Sequence, residues 1–226
     1  MIIKETKSIF KIAINKILAS KGTDDILSEA ALPAYAHKNP IIDFIFWKRI
    51  DIAVNEVISD KIINKNILDF GCGTGVLSYH LSKSGYSMTA IDLDMSPKNQ
   101  LSEYITYPDN INFIEGDILK LNFDKKFDSI IALDVLEHIP LEVLPVFLKR
   151  FDDLLSPNGK IIISGPTENV LYKIGRFLAG SDFTGSYHET NIDLIKKEFL
   201  KVYKVRVVKK LYFPFTLFEI FSATKR

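Results

Sequence analysis

The sequence predicts an α/β protein: a doubly wound, mostly parallel sheet of seven strands, ending in an antiparallel last strand. Three observations carry that prediction. Between Asn66 and Gly165, strand-length apolar runs alternate with helix-length amphipathic ones. The first strand, with Ile67, Leu68 and Phe70, is a near-continuous apolar run, the pattern of a strand covered on both faces of a parallel sheet. Beyond a helical stretch, two further runs at 202–208 and 218–224 lie close enough together to pair antiparallel.

Taken in order, the chain opens on an amphipathic helix, Ile2 to Ser20, with Ile9, Phe10, Ala13, Ile14, Ile17 and Leu18 on one side and Lys4, Lys7, Lys11 and Lys16 opposite. Gly22 ends it. This helix either packs on the domain, closing over its pocket, or lies on an anionic membrane surface as a peripheral contact. An irregular stretch bracketed by Pro33 and Pro40 follows, and then an aromatic-rich helix, Ile41 to Ile58, so residues 1–60 read as a helical cap segment. Residues 61–226 hold the main domain: a strand to Gly71, a helix from Thr74, a strand at 87–92, a helix from Ser96, strands at 111–115 and 127–133, a helix at 141–155 and a strand at 159–164. The link Gly116 to Lys126 is too short for a full helix and must run across the carboxyl edge of the sheet. At about 166–191 the alternation breaks into an insertion mixing aromatic and basic residues, the composition of a lid. Helix Ile192 to Leu200 leads into the final strands.

At 226 residues, 47% hydrophobic and 25% charged, the chain suits one globular domain with appended segments. Its 29 basic and 28 acidic side chains create no global field for a polyanion, which weighs against nonspecific nucleic-acid binding. The lone cysteine, Cys72, forms no internal disulfide and fits a reducing, cytoplasmic setting. No apolar run reaches membrane-spanning length, and the N-terminus lacks a signal peptide's pattern.

The chemistry concentrates where the first strand ends. Gly71, Gly73 and Gly75 leave a bend without side chains, so that a ligand can press against bare backbone, and the amides of the next helix point toward it. A dinucleotide fingerprint would need glycine at position 76, which is Val, so a nucleotide-binding oxidoreductase is the weaker alternative. Asp69-Phe70-Gly71-Cys72-Gly73-Thr74-Gly75 instead resembles motif I of the class I S-adenosylmethionine-dependent methyltransferases, acidic-x-Gly-x-Gly-x-Gly. The resemblance covers about residues 60–226 and is nearest to the small-molecule, ubiquinone-pathway O-methyltransferase-like group.

That resemblance implies a Rossmann-like sheet and adenosylmethionine as cofactor, held by Asp69, Gly71, Cys72, Gly73 and Gly75 around its methionine half. Asp92, with Leu93 beside it, would accept hydrogen bonds from the ribose hydroxyls, and Asp117 and Ile118 would meet the adenine. Leu133 and Asp134, at the end of the fourth strand, complete the implied set. The reaction implied is methyl transfer to an O or N atom of a small-molecule or lipid-like acceptor; a protein that retains cofactor without turnover is the other alternative. The base-flipping Asn/Asp-Pro-Pro-Tyr/Phe signature is absent, which speaks against nucleic-acid substrates.

Asp134, Glu137 and His138 would share a face if one turn of helix carried them. Three roles are open there: His138 as general base, the three as ligands of a divalent cation, or a purely structural entrance to the helix. His188, in Tyr187-His188-Glu189 of the lid, is the second candidate for the acceptor's proton, and Tyr35 and His37 would help close the pocket. The sequence commits to no metal.

Overall fold

Strand β1 (Asn66–Phe70) is where the sheet is laid out, and its Ile67 and Leu68 are fully buried, as its unbroken apolar run requires. The structure, a computed structural model, describes residues 2–21, 35–59, 66–167, 189–212 and 216–226. Two compact units divide the chain at Leu121/Asn122. The first holds helix α1 (Ile2–Lys21), helix α2 (Pro40–Ser59), β1, helix α3 (Val76–Lys83), strand β2 (Ser87–Asp92), helix α4 (Ser96–Leu101) and strand β3 (Ile111–Glu115). The second holds strand β4 (Phe127–Leu133), a 3-10 turn (Leu136–His138), helix α5 (Leu144–Leu154), strand β5 (Leu155–Pro166), helix α6 (Ile192–Val202), strand β6 (Tyr203–Tyr212) and strand β7 (Thr216–Lys225).

The seven strands are ordered β3-β2-β1 in the first unit and β4-β5-β7-β6 in the second. In the first unit β1 pairs parallel with β2, setting Leu68 opposite Thr89, and β2 pairs parallel with β3, setting Ala90 opposite Phe113. In the second, β4 and β5 are parallel, while β7 lies antiparallel to β5 on one side and β6 on the other. Both final strands are longer than expected, and the expected antiparallel ending is present. Strand β6 carries Lys204, Arg206, Lys209 and Lys210.

Within the first unit α1 is part of the core. Phe10, Ala13, Ile14 and Ile17 are buried, with Phe10 edge-on to Tyr79 of α3 at 5.4 Å. The Thr6 hydroxyl meets Nδ1 of the buried His80 at 3.0 Å. Lys7 and Lys11 both donate to Asp43 of α2, at 2.6 and 3.0 Å. Burial alone would raise that carboxyl, but the two ammoniums hold it below its ordinary range. The residues that α1 exposes include Lys4, Glu5, Ser8, Ile12, Asn15 and Lys16. Gly22, the expected stop, lies outside the described residues.

Several boundaries differ from expectation for local reasons. Helix α3 starts at Val76 because Gly75 is left-handed, at φ 71, and serves as its N-cap. Helix α5 starts at Leu144, three residues late, with Pro145 in its first turn where a missing N–H costs nothing. Strand β5 begins immediately after α5, earlier than the expected 159, and takes in Pro157, Asn158 and Gly159 as an irregularity: its register on β4 jumps from Leu155 opposite Phe127 to Lys160 opposite Ser129. Gly159 is needed there, since a Cβ would stand 2.7 Å from Leu155 Cδ1. The link between β3 and β4 contains no helix, as its length demanded. Among the described residues no helix is long and apolar enough to cross a membrane.

Phe199 of α6, fully buried, lies edge-on to Phe221 of β7 at 5.2 Å and tilted against Tyr203 at 5.6 Å. Removing it leaves a cavity among rings that have little freedom to collapse. Phe199→Ala is expected to destabilise the protein by about 3–5 kcal/mol, read as a lowered urea midpoint at unchanged slope.

Candidate active site

The bend after β1 is built by three glycines with positive φ, Gly71 at 71°, Gly73 at 48° and Gly75 at 71°. Four of its amides, those of Gly71, Cys72, Gly73 and Gly75, have partners within the protein. Gly71 N and Cys72 N both donate to the Ile91 carbonyl, at 2.8 and 3.0 Å, Gly73 N donates to Asp92 Oδ2 at 2.7 Å, and Gly75 N to the Cys72 carbonyl at 2.7 Å. A Cβ on Gly73 would meet no heavy atom within 4 Å, whereas one on Gly75 would stand 2.9 Å from Phe113 Cε1. The bend therefore has an open side at Gly73 and a packed side at Gly75. Asp92 sits at the tip of β2, half-buried, with the Asp94 amide 3.3 Å from its other oxygen. A carboxylate oxygen accepts more than one hydrogen bond, so acceptor capacity remains for a pair of hydroxyls. Leu93, beside it, is 75% exposed.

Beneath the bend, Asp69 is buried and accepts from the Ser78 hydroxyl of α3 at 2.7 Å. Burial pushes its carboxyl up to about 7, with the Asp92 charge adding to the rise and the Ser78 hydrogen bond opposing it. Cys72 is buried too, and burial, with the Asp69 and Asp92 charges, pushes its thiol well up, so it is a packing residue and no nucleophile. Tyr35 belongs to the same neighbourhood: burial raises its hydroxyl, Arg49 opposes the rise and the charge of Asp69 reinforces it. The Trp47 indole donates to the Tyr35 carbonyl at 3.1 Å. His37 takes a local part, its Nδ1 accepting from the Asn39 amide at 2.9 Å ahead of α2.

Past β3, Asp117 Oδ1 accepts from the Leu119 amide at 3.0 Å, and its other oxygen is 3.3 Å from Lys120. Its carboxylate thus shapes its own turn while staying partly exposed, and Ile118 packs inward, fully buried. Neither Ser78 nor Tyr35's relation to Asp69 was anticipated. The signal for Ser78 was present as a small hydroxyl three residues after Gly75, one helical turn along, on the side facing the strand.

In the second unit, Leu133 ends β4 and Asp134 follows with φ 57, the single non-glycine residue of positive φ among the described residues. Its backbone N–H donates to the Ser164 carbonyl at 3.1 Å, and the Ser164 hydroxyl donates to its Oδ1 at 2.8 Å. Asp134, Glu137 and His138 do not form the common helical face expected of them. The helix there is a 3-10 turn of three residues, because Ile139 precedes Pro140 and is held extended, at φ −97 and ψ 126. Successive side chains of a 3-10 turn diverge by about 120°, so Glu137 is buried and His138 exposed. Among the described residues, no group of three or more His, Cys, Asp or Glu is placed to hold a metal ion. The Glu137 carbonyl accepts from the amides of Glu189 and Thr190, at 2.8 and 3.1 Å. His188 and most of the expected lid lie outside the described residues.

The profile of one protein family, described as Methyltransferase domain, matches residues 46–204, from within α2 to the start of β6. The chain belongs to that family. Among named relatives, a ubiquinone biosynthesis O-methyltransferase of Rickettsia conorii is 34% identical over 110 residues, 48% of this chain and 37% of the relative. That of Rickettsia typhi is 36% identical over 106 residues, 46% of this chain and 42% of the relative. The matched stretch is less than half the length of either relative. Among solved structures, magnesium protoporphyrin IX methyltransferase (ChlM) from Synechocystis PCC 6803 with bound SAM has a TM-score of 0.65 at 19% identity, over 96% of this chain and 97% of that one. The N-methyltransferase NodS from Bradyrhizobium japonicum WM9, in complex with S-adenosyl-L-homocysteine, has a TM-score of 0.63 at 14% identity, over 96% and 98%. These likenesses show the methyltransferase fold.

Two glycines of this methyltransferase domain should respond differently to alanine. Gly75→Ala forces a side chain into a left-handed position against Phe113 and is expected to lower the melting temperature by several degrees. Gly73→Ala carries the left-handed strain alone, with no clash, and is expected to lower the melting temperature less, so differential scanning fluorimetry of the pair checks the assignment of open and packed sides.

The pH dependence of stability tests the buried carboxyl. Asp69 binds its proton more tightly folded than unfolded, so stability is highest below the unfolded carboxyl range and falls as pH rises to about 7. The loss attributable to it is up to about 4 kcal/mol. Urea titrations from pH 4 to pH 8 should show that decline in the wild type and a flatter profile in Asp69→Asn.

Proposed function

We propose that this chain is an S-adenosylmethionine-dependent methyltransferase that transfers a methyl group to an O or N atom of a small-molecule or lipid-like acceptor. The observation that carries the reading is the Gly73 amide bonded to the Asp92 carboxylate at 2.7 Å, beside an open-sided bend of three positive-φ glycines. Those residues fit the cofactor: backbone open at Gly73, with no side chain in the way, for the methionine half, a carboxylate with spare lone pairs for the ribose diol, and the exposed Leu93 as apolar surface next to it. Asp117 and Ile118 are assigned to the adenine end, and Leu133 and Asp134 complete the set. The names of the ubiquinone-pathway relatives support an O-methyl acceptor of small-molecule type, and NodS and ChlM show that the fold accommodates other acceptors.

When bound, adenosylmethionine supplies a methyl group already activated by its sulfonium charge, which leaves alignment, exclusion of water and removal of one proton to the protein. His138 is the proposed recipient of the acceptor's proton, since it is an exposed imidazole next to the fixed turn at Asp134. His188 is the second candidate. The buried free thiol of Cys72 supports a reducing, cytoplasmic setting, and the balanced charge supports a chain that does not take nucleic acid as substrate.

Calorimetry with S-adenosylhomocysteine tests the reading directly. The wild type should bind it, and Asp92→Ala should bind more weakly by about 1.5–3 kcal/mol. Unchanged affinity in that variant, or stabilisation by NADH in place of the homocysteine derivative, would overturn the reading. With labelled adenosylmethionine, quinol and phenol acceptors should take up methyl groups and bulk DNA and RNA should not.

A further inference from the structure

The peptide joining Thr74 to Gly75 is pinned at both ends. Its N–H donates to the Cys72 carbonyl at 2.7 Å, and its carbonyl accepts from the Tyr107 hydroxyl at 2.6 Å. Tyr107 comes from the segment between α4 and β3, distant in sequence from the glycine bend, and its ring does a second job there. A Cβ on Gly75 would lie 3.2 Å from Tyr107 Cε1, so the ring forms the wall behind the glycine that caps α3. Burial holds the phenol well above its usual range, which keeps it a hydrogen-bond donor at any physiological pH.

That ring is also the junction of an aromatic cluster reaching the N-terminal helix. Tyr107 meets Phe113 edge-on at 5.1 Å, Tyr79 at 6.0 Å and Phe10 of α1 at 6.3 Å, and the Lys98 ammonium lies 5.6 Å from its centroid. Phe10 is fully buried and touches Tyr79 as well. Edge-to-face rings hold one another in a definite orientation. If α1 left its place, one wall of the Tyr107 site would go with Phe10, the ring could turn, and the hydroxyl would release the Thr74 carbonyl. A glycine bend with left-handed residues then has several conformations to choose from, and only one of them keeps the hydrogen bonds and the open side at Gly73 described above.

We propose that Tyr107 is a positioning residue for the glycine bend and that, through it, docking of helix α1 and binding of the cofactor favour one another. The proposal rests on the cofactor reading given above and adds a linkage to it. By reciprocity, if a docked α1 strengthens cofactor binding, bound cofactor must strengthen the docking of α1.

The experiment uses the full chain, with S-adenosylhomocysteine as the probe, as wild type, Tyr107→Phe, Tyr107→Leu and Phe10→Leu. Tyr107→Phe keeps the ring and loses only the bond to Thr74, so it is expected to bind the probe about 5- to 10-fold more weakly while the free protein melts close to wild type. Phe10→Leu should weaken binding in the same direction, and combining it with Tyr107→Phe should cost less than the two separate losses together. In hydrogen exchange, the probe should slow the α1 amides of the wild type, and this protection should shrink in Tyr107→Phe. A Tyr107→Phe protein that binds within about two-fold of wild type overturns the proposal. So does an α1 whose exchange ignores the probe, or an affinity that merely follows melting temperature from the Phe to the Leu variant. A wild type that fails to bind the probe at all overturns the cofactor reading itself, which separates the two failures.

Discussion

The hydrogen bond from the Gly73 amide to the Asp92 carboxylate ties the tip of one strand to the bend that follows its neighbour, and the site in the first unit depends on it. Glycines at positive φ are individually free to move, yet here three amides of the bend have partners whose position is set by β2: the Ile91 carbonyl takes those of Gly71 and Cys72, and Asp92 takes that of Gly73. The parallel pairing of β1 with β2 is therefore extended past the end of β1 by groups that are no longer strand. A binding surface made rigid in this way loses little conformational entropy when a ligand arrives. The same carboxylate is offered outward to hydroxyls, so one side chain both shapes the bend and faces the ligand.

Charge is handled in the first unit by burial and pairing together. Asp43 is kept ionised by two lysines of α1, whereas Asp69, which accepts from the Ser78 hydroxyl, is driven toward its neutral form. Two carboxyls in one small unit thus shift in opposite directions: two ammoniums outweigh burial at Asp43, and burial outweighs the Ser78 hydrogen bond at the more deeply buried Asp69. Any positively charged group brought close to it would favour the ionised form, so ligand charge and proton uptake are linked there.

Much of this was legible in the sequence. Unbroken apolar runs gave away the parallel strands, since a strand covered on both faces has no reason to alternate, and Gly71, Gly73 and Gly75 marked the bend, whereas the bond from the Gly73 amide to Asp92 carried no sequence signal. Helix starts were less legible: Gly75 and Pro145 each delay a helix by a turn-scale offset that periodicity does not register. The 3-10 turn was missed although its cause was in plain view, because the residue before Pro140 resists helical backbone and leaves no room for a full turn. Tyr107 was not legible at all. Its partner lies 33 residues away, joined by a backbone carbonyl that has no residue identity to read.

Asp134 carries a consequence of another kind. Its left-handed backbone favours glycine, asparagine or aspartate, and its bond from the Ser164 hydroxyl asks for a side-chain oxygen at that reach. Glycine meets the first demand alone, and serine or glutamate would strain against it. Only aspartate and asparagine meet both, and they are nearly the same shape. Descent with modification can therefore alter the charge at the end of β4 in a single step while its form stays put, which makes this one position a place where related chains can differ in electrostatics without differing in fold.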